Sequence, residues 1–260
     1  MLALSCSGAS AGESATAACA SEPILGGNAQ PGSIPFDAAL ENTLGSLVIP
    51  NDGGAEPTGD VALCSVVFVS ARAALTARHC ALSQHDSSVM GRDPLASAEV
   101  VRGSPLDPTA RTASVARVWS HPELDIALLQ LAMPVTRAPI PLLDEPMGDE
   151  WSNASVELAG YGFSRDEGLG VLQFATEQIE GLESDRIVVS GDGHSGACKG
   201  DSGGPLFGST PSGEPRVIGV LQGGAPSCAG TDYYTRVDRL LDWAPLVTVL
   251  AAKDSSCVSD

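Results

Sequence analysis

Lysine is nearly absent from this chain of 260 residues, with only Lys199 and Lys253 present. Arginine raises the basic total to 14, against 32 acidic residues, for a formal charge of −18. A surface of that sign repels phosphate backbones and anionic headgroups, so nucleic acid and acidic lipid are excluded as partners. Otherwise the balance reads as a solubility device. No run of about 20 apolar residues occurs, so no helix is expected to span a membrane. No internal repeat at a fixed period occurs either. Scarce Lys beside abundant Ala and Gly reads as the codon bias of a GC-rich genome, not as function. Histidine is also sparse, limited to His79, His85, His121 and His194. No cluster of these with acids suggests a metal site: His194 follows Gly191-Asp192-Gly193, which reads as a turn, and no cofactor is expected.

What is present is organised in two parts. Residues 1–23 are small and polar without apolar periodicity, and read as a disordered leader, tether or propeptide. Residues 24–260 carry short apolar runs broken by Gly, Pro, Asn and Asp. Examples are Ser65–Val69, Ala73–Leu75, Ile126–Leu131, Val156–Ala159, Ile187–Val189 and Val217–Leu221. Each is strand-length and bounded by turn residues, which predicts an all-β sandwich or barrel. A helix is expected near Val237–Leu250, with a break or a first-turn position at Pro245. The stretch 50–60 reads as a surface insertion. Seven cysteines point to an oxidising compartment, with at least one left unpaired within the chain.

Three segments carry chemistry. In Lys199-Gly200-Asp201-Ser202-Gly203-Gly204-Pro205, a serine between glycines can be presented on a tight turn. There its N–H and that of Gly200 can converge on one point and stabilise an oxyanion. In Leu75-Thr76-Ala77-Arg78-His79-Cys80, an imidazole follows an apolar strand and stands beside a cysteine. Imidazole titrates near neutrality, which suits it to take a proton from serine. In Asp125-Ile126-Ala127-Leu128-Leu129, a carboxylate opens an apolar strand, and a buried carboxylate needs a partner such as a histidine N–H. Taken singly, each has an ordinary reading as a turn, a surface histidine or a solvated strand end.

Together, in the order His, Asp, Ser, these segments resemble the trypsin/chymotrypsin-like serine endopeptidases. The resemblance runs from Ile24 to about Leu250 and includes Ile24-Leu25-Gly26-Gly27, Cys64-Ser65, Gly160-Tyr161-Gly162 and Ile218-Gly219-Val220. It implies two six-stranded antiparallel β-barrels with a cleft between them and a C-terminal helix. It implies a triad of His79, Asp125 and Ser202, with an oxyanion hole from the N–H groups of Gly200 and Ser202. It implies disulfides Cys64–Cys80 and Cys198–Cys228. Cys19 is expected to pair with Cys257, which leaves Cys6 free or lipid-modified. Leu-Ala-Leu-Ser-Cys at the start resembles the end of a bacterial lipoprotein signal, although it is short for one. The resemblance also implies a bacterial, secreted or envelope-exposed monomer acting on proteins or peptides.

The sequence also departs from that family. Gly196 falls where trypsin carries its specificity-giving Asp, and Asp232 falls on a pocket wall that is often Gly. Gly224 leaves the pocket entrance open. Mixed preference for basic and large apolar residues on the acyl side of the cut is therefore expected. Gln222-Gly223-Gly224 replaces Ser-Trp-Gly; whether the Gln222 amide reaches Asp125 is left open by the sequence. Pro23 precedes Ile24, the residue whose freed amine pairs with Asp201 in activated family members.

Overall fold

The computed structural model describes residues 27–50, 61–82, 98–164 and 168–255. Strand β1 (Leu44–Pro50) follows a one-turn helix α1 (Ala38–Thr43) capped by the Asp37 carboxylate. It is followed by β2 (Val61–Ser70), β3 (Ala73–Thr76), the short helix α2 (Arg78–Ala81), β4 (Glu99–Arg102), β5 (Thr112–Ser120) and β6 (Ala127–Leu131). These six strands close an antiparallel barrel in the order β1-β2-β3-β6-β5-β4. The chain continues through β7 (Ser155–Gly160), the small hairpin β8 (Phe163–Ser164) and β9 (Gly168–Leu169), then β10 (Gln173–Leu182), β11 (Arg186–Ser190), β12 (Pro205–Ser209), β13 (Pro215–Gly224) and β14 (Thr231–Arg236). A second closed barrel results, ordered β10-β11-β14-β13-β12-β7. The double barrel expected from the sequence is the fold observed.

Period-two burial explains why these segments are strands and not helices. In β10, Ala175, Glu177 and Ile179 face inward while Thr176, Gln178 and Glu180 face solvent. In β3 all four residues are buried, because this strand lies between the interior of its own barrel and the neighbouring barrel. Phe68, Leu47, Val66 and Leu129 fill the first barrel. Leu75, Ile126 and Leu128 belong to the larger core shared with the second barrel, around Phe174, Phe207 and Tyr234. The seam between barrels is therefore apolar on the strands that deliver residues 76–79 and 125–127.

The predicted C-terminal helix is present with different bounds. Val237–Leu240 forms a 3₁₀ turn, and the α-helix α3 runs from Ala244 to Ser255. Pro245 is its second residue, where no intrahelical N–H is required. The delayed start has a local cause. Arg236 forks onto Asp238 (Nε–Oδ1 3.0 Å, Nη2–Oδ2 2.7 Å) and donates to the carbonyls of Glu183 and Met147, so residues 236–238 are held in place by the second barrel.

One buried acid ties the amino-terminal segment to the second barrel. Glu157 of β7 is almost fully buried, and its Oε2 accepts from Gly32 N, Ser33 N, Ser33 Oγ and Thr176 Oγ1 at 2.8–3.0 Å. Glu157→Ala leaves those donors without their acceptor, and is expected to lower unfolding stability by about 3 kcal/mol in urea titration.

Candidate active site

His79 lies on α2, immediately after β3. The Cys64–Cys80 disulfide, spanning 16 residues, fixes α2 to β2. Asp125 lies in the bend before β6, and pairing of Thr76 with Ala127 sets the two segments side by side. His79 Nδ1 is 2.8 Å from Asp125 Oδ2, and the His79 backbone N–H donates to Oδ1 at 2.9 Å. One residue thus engages both carboxylate oxygens. Burial pushes the Asp125 carboxyl upward, but the hydrogen bonds and charge of His79 outweigh it and hold Asp125 below the ordinary carboxylate value. An anionic Asp125 accepts the Nδ1 proton and leaves Nε2 as the basic atom of the ring. The imidazole is 40% exposed, so Nε2 is within reach of solvent and substrate.

Ser202 arrives from the second barrel. Its carbonyl accepts from Ser65 N at 2.9 Å and lies 3.8 Å from Cys80 Sγ, which sets the serine against the histidine segment. Among the described residues no hydrogen bond joins Ser202 Oγ to His79. Gly200 adopts φ +97°, a conformation that favours glycine, and a Cβ there would stand 2.9 Å from Gly162 Cα. Its carbonyl is held by Ser65 Oγ at 3.1 Å. The N–H groups of Gly200 and Ser202 donate to no described residue. Asp201 turns the other way and is buried, accepting from Gly162 N at 2.8 Å and Cys198 N at 2.9 Å. Burial pushes its carboxyl up to about 7.

A cavity of about 330 Å³ opens beside Ser202, lined by Ala197, Cys198, Lys199, Gly223, Gly224 and Pro226 among others. The Cys198–Cys228 disulfide crosses its wall, so both pairings implied by the family resemblance are formed. Gly196 lies next to the lining residue Ala197, and a Cβ there would press on Cys228 O at 2.8 Å. The space beside Gly223 is empty to 4 Å, which leaves that side of the cleft without an apolar wall.

Two expected positions are sharpened by the coordinates. Asp232 does not line the cavity directly. It is buried behind Gly224, its register partner across β13 and β14, and Oδ2 takes the Ala197 N–H at 2.6 Å. A Cβ on Gly224 would overlap Asp232 Oδ1. The Gln222 amide does not bond the Asp125 carboxylate. It donates to Thr235 Oγ1 at 2.8 Å, and that hydroxyl lies 3.4 Å from the Asp125 backbone carbonyl. Support for Asp125 therefore passes through Thr235.

His194 forms a turn with Gly191, as read from the sequence. His121 accepts the N–H groups of Glu123 and Leu124 on Nδ1 and stands edge-on to Trp243, a structural role. Pro23, Ile24, Cys6, Cys19, His85, Cys257 and the insertion 51–60 lie outside the described residues. One residue near the site was missed by the sequence reading, namely Glu177, inward on β10 and bonded to Ser195 Oγ. Its signal was a single acid on the apolar face of an alternating strand.

A double barrel with an aspartate-bound histidine and a serine turn set against the histidine segment is the architecture of the chymotrypsin-like serine hydrolases. Comparison with protein families agrees: residues 24–244 match the model described as Trypsin, and the chain belongs to that family. It is 28% identical to phenoloxidase-activating factor 3 of Holotrichia diomphalia over 85% of this chain and 71% of the relative. It is 32% identical to transmembrane protease serine 9 of Rattus norvegicus over 71% of this chain, which spans only 20% of that protein. Brachyurin of Leptuca pugilator is 32% identical over 46% of this chain and 58% of the relative. No helix among the described residues is long and apolar enough to cross a membrane.

Proposed function

We propose that the chain is a serine endopeptidase in which His79, Asp125 and Ser202 form the catalytic triad. The observation that carries this reading is the double engagement of Asp125 by His79, with a serine turn set against the histidine segment whose Gly200 and Ser202 N–H groups have no partner among the described residues. In the proposed cycle, Nε2 of His79 takes the Ser202 proton as Oγ attacks the peptide carbonyl. The N–H groups of Gly200 and Ser202 receive the oxyanion. The imidazolium, stabilised by Asp125, returns the proton to the leaving amine, and water then releases the acyl group by the reverse proton path. Attack requires Ser202 Oγ within bonding distance of His79 Nε2.

Labelling by a fluorophosphonate probe tests the assignment. The wild-type protein is expected to label and Ser202→Ala is not. A catalytically silent, protein-binding homologue is the second reading, and the missing Ser202–His79 hydrogen bond is the observation on its side. An unlabelled wild type whose amino terminus has been shown to be Ile24 decides in its favour. Amino-terminal sequencing of the active form also tests whether cleavage after Pro23 frees the Ile24 amine for Asp201.

Substrate preference follows from Gly196 and Asp232. With no charge at the base and a carboxylate behind Gly224, both basic and large apolar side chains are accepted on the acyl side of the cut. Asp232→Gly is expected to lower kcat/KM for arginine substrates about a hundredfold relative to leucine substrates. An unchanged ratio in a substrate-library profile sinks that assignment. The extracytoplasmic location, the bacterial source, a Cys19–Cys257 bond, a lipid on Cys6 and the monomeric state rest on the sequence alone. Mass spectrometry of the mature protein tests the cysteine assignments.

A further inference from the structure

A carboxylate on the inward face of a barrel strand costs desolvation energy and calls for a partner. Glu177 is 3% exposed. Its Oε1 accepts from Ser195 Oγ at 3.2 Å, while its Oε2 has no partner among the described residues. Asp232 repeats the pattern, since Oδ1 is buried and unpartnered while Oδ2 is held by Ala197 N. The two acids are held by neighbouring residues of one segment, of which Ala197 lines the cavity. Ser195 bonds Glu177, Ala197 bonds Asp232, and side-chain-free Gly196 joins the two. Gly224 forms the cavity face over Asp232. Asp232 thus stands behind the cavity wall, and Glu177, whose charge interacts with that of Asp232, is tied through Ser195 to the segment that leads into that wall.

The surroundings supply no neutralising charge. Asp201 from the serine turn and Tyr234 from β14 are the other titratable groups that interact with the pair. Asp192 and His194, on the turn after β11, are exposed, and Lys199 lies at the cavity mouth. From β7, β11 and β13 no charged side chain faces the pair among the described residues. Burial pushes Asp232 up to about 7, and burial together with the Asp232 charge pushes Glu177 up to about 8.

We propose that Glu177 is a second specificity-determining carboxylate, so that a guanidinium or ammonium group entering the pocket is held against two acids and its binding releases protons. The substrate class rests on the endopeptidase reading above; the cation site does not. A cation favours the ionised form of each acid, so the acid proton passes to solvent as the cation enters.

Calorimetric titration with benzamidine, in buffers of different ionisation enthalpy, counts those protons. The full-length Ser202→Ala protein is used, since binding needs no nucleophile. Near the pH of about 8 at which Glu177 is half ionised, Asp232 is already largely ionised. About half a proton released there comes from Glu177, and Glu177→Gln is expected to release almost none. Its affinity for benzamidine is expected to fall by a factor on the order of ten. Ser195→Ala removes the hydrogen bond that lowers Glu177, so its release at that pH rises, and this variant decides the matter if Glu177→Gln does not fold. No benzamidine binding, or wild-type proton release in the variants, overturns the proposal. Failure of the fluorophosphonate probe to label Ser202 in wild-type protein that begins at Ile24 sinks the endopeptidase reading and leaves this cation site standing.

Discussion

Removal of the Ser202 hydroxyl is expected to lower kcat on a peptide substrate by a factor on the order of 10⁶ while leaving KM within a few-fold. The reason is positional. Ser202→Ala keeps the backbone N–H proposed for the oxyanion site, so binding and part of the electrostatic stabilisation are expected to persist, whereas covalent attack is lost. His79→Ala is expected to cost the same, and the double variant no more, because the two act in one step. Asp125→Asn is the more informative change. Both Asp125 oxygens accept from His79, one from its backbone N–H at 2.9 Å and one from Nδ1 at 2.8 Å. An amide cannot accept at both positions. Either its NH₂ confronts the backbone N–H, or it faces Nδ1 and drives the proton to Nε2, which abolishes the base. A loss on the order of 10⁴ in kcat is expected, with partial recovery at high pH where hydroxide replaces the base. Single-turnover kinetics on an ester and a peptide substrate checks all four variants. A Ser202→Ala protein with wild-type rate removes the triad assignment.

The segments that carry His79, Asp125 and Ser202 stand out in the sequence because each is a short local signal. Gly200 and Gly203 flank Ser202 because the turn requires φ of +97° and +85°. Cys80 beside His79 announces a cross-link that the structure forms with Cys64. The apolar runs announced the strands for the same reason: burial on a barrel wall needs only alternation over a few residues. What was not legible depends on register between distant strands. Glu177 reads as one acid in a mixed strand until barrel closure turns it inward beneath Ser195. Asp232 was read as a pocket-wall carboxylate, but its pairing with Gly224 sets it behind that wall. Whether Gln222 reaches Asp125 was left open because its reach depends on Thr235, on the neighbouring strand. The helix start moved from residue 237 to 244 because Arg236 and Asp238 bond to Glu183 and Met147, far away in sequence.

The same buried acids set the pH dependence of stability. The Ser202→Ala protein, used to prevent self-digestion, is expected to unfold at a higher urea concentration near pH 5 than near pH 8. Asp201 and Asp232 are pushed up to about 7 and Glu177 to about 8, in each case chiefly by burial. In the unfolded chain these carboxyls ionise near pH 4. Between about pH 4 and pH 8 the folded form therefore holds more protons than the unfolded form, and stability falls as pH rises through that window. Asp125 and Asp238 act in the opposite sense. His79 and Arg236 hold them low, so their contribution is present above the ordinary carboxylate value and is lost only at lower pH. The optimum is thus mildly acidic, with a loss of several kcal/mol on going to about pH 8. Asp201→Asn is expected to flatten the slope, because one of the three titrating groups is gone. It also lowers stability at every pH, because the amide cannot accept from both Gly162 N and Cys198 N. The slope bears on activation as well. If cleavage before Ile24 delivers an ammonium group to Asp201, the cleaved form loses less stability on going to alkaline pH than the intact chain does, since the ionised acid then has a partner. Equal slopes for the two forms separate Asp201 from the new amino terminus and remove the zymogen mechanism.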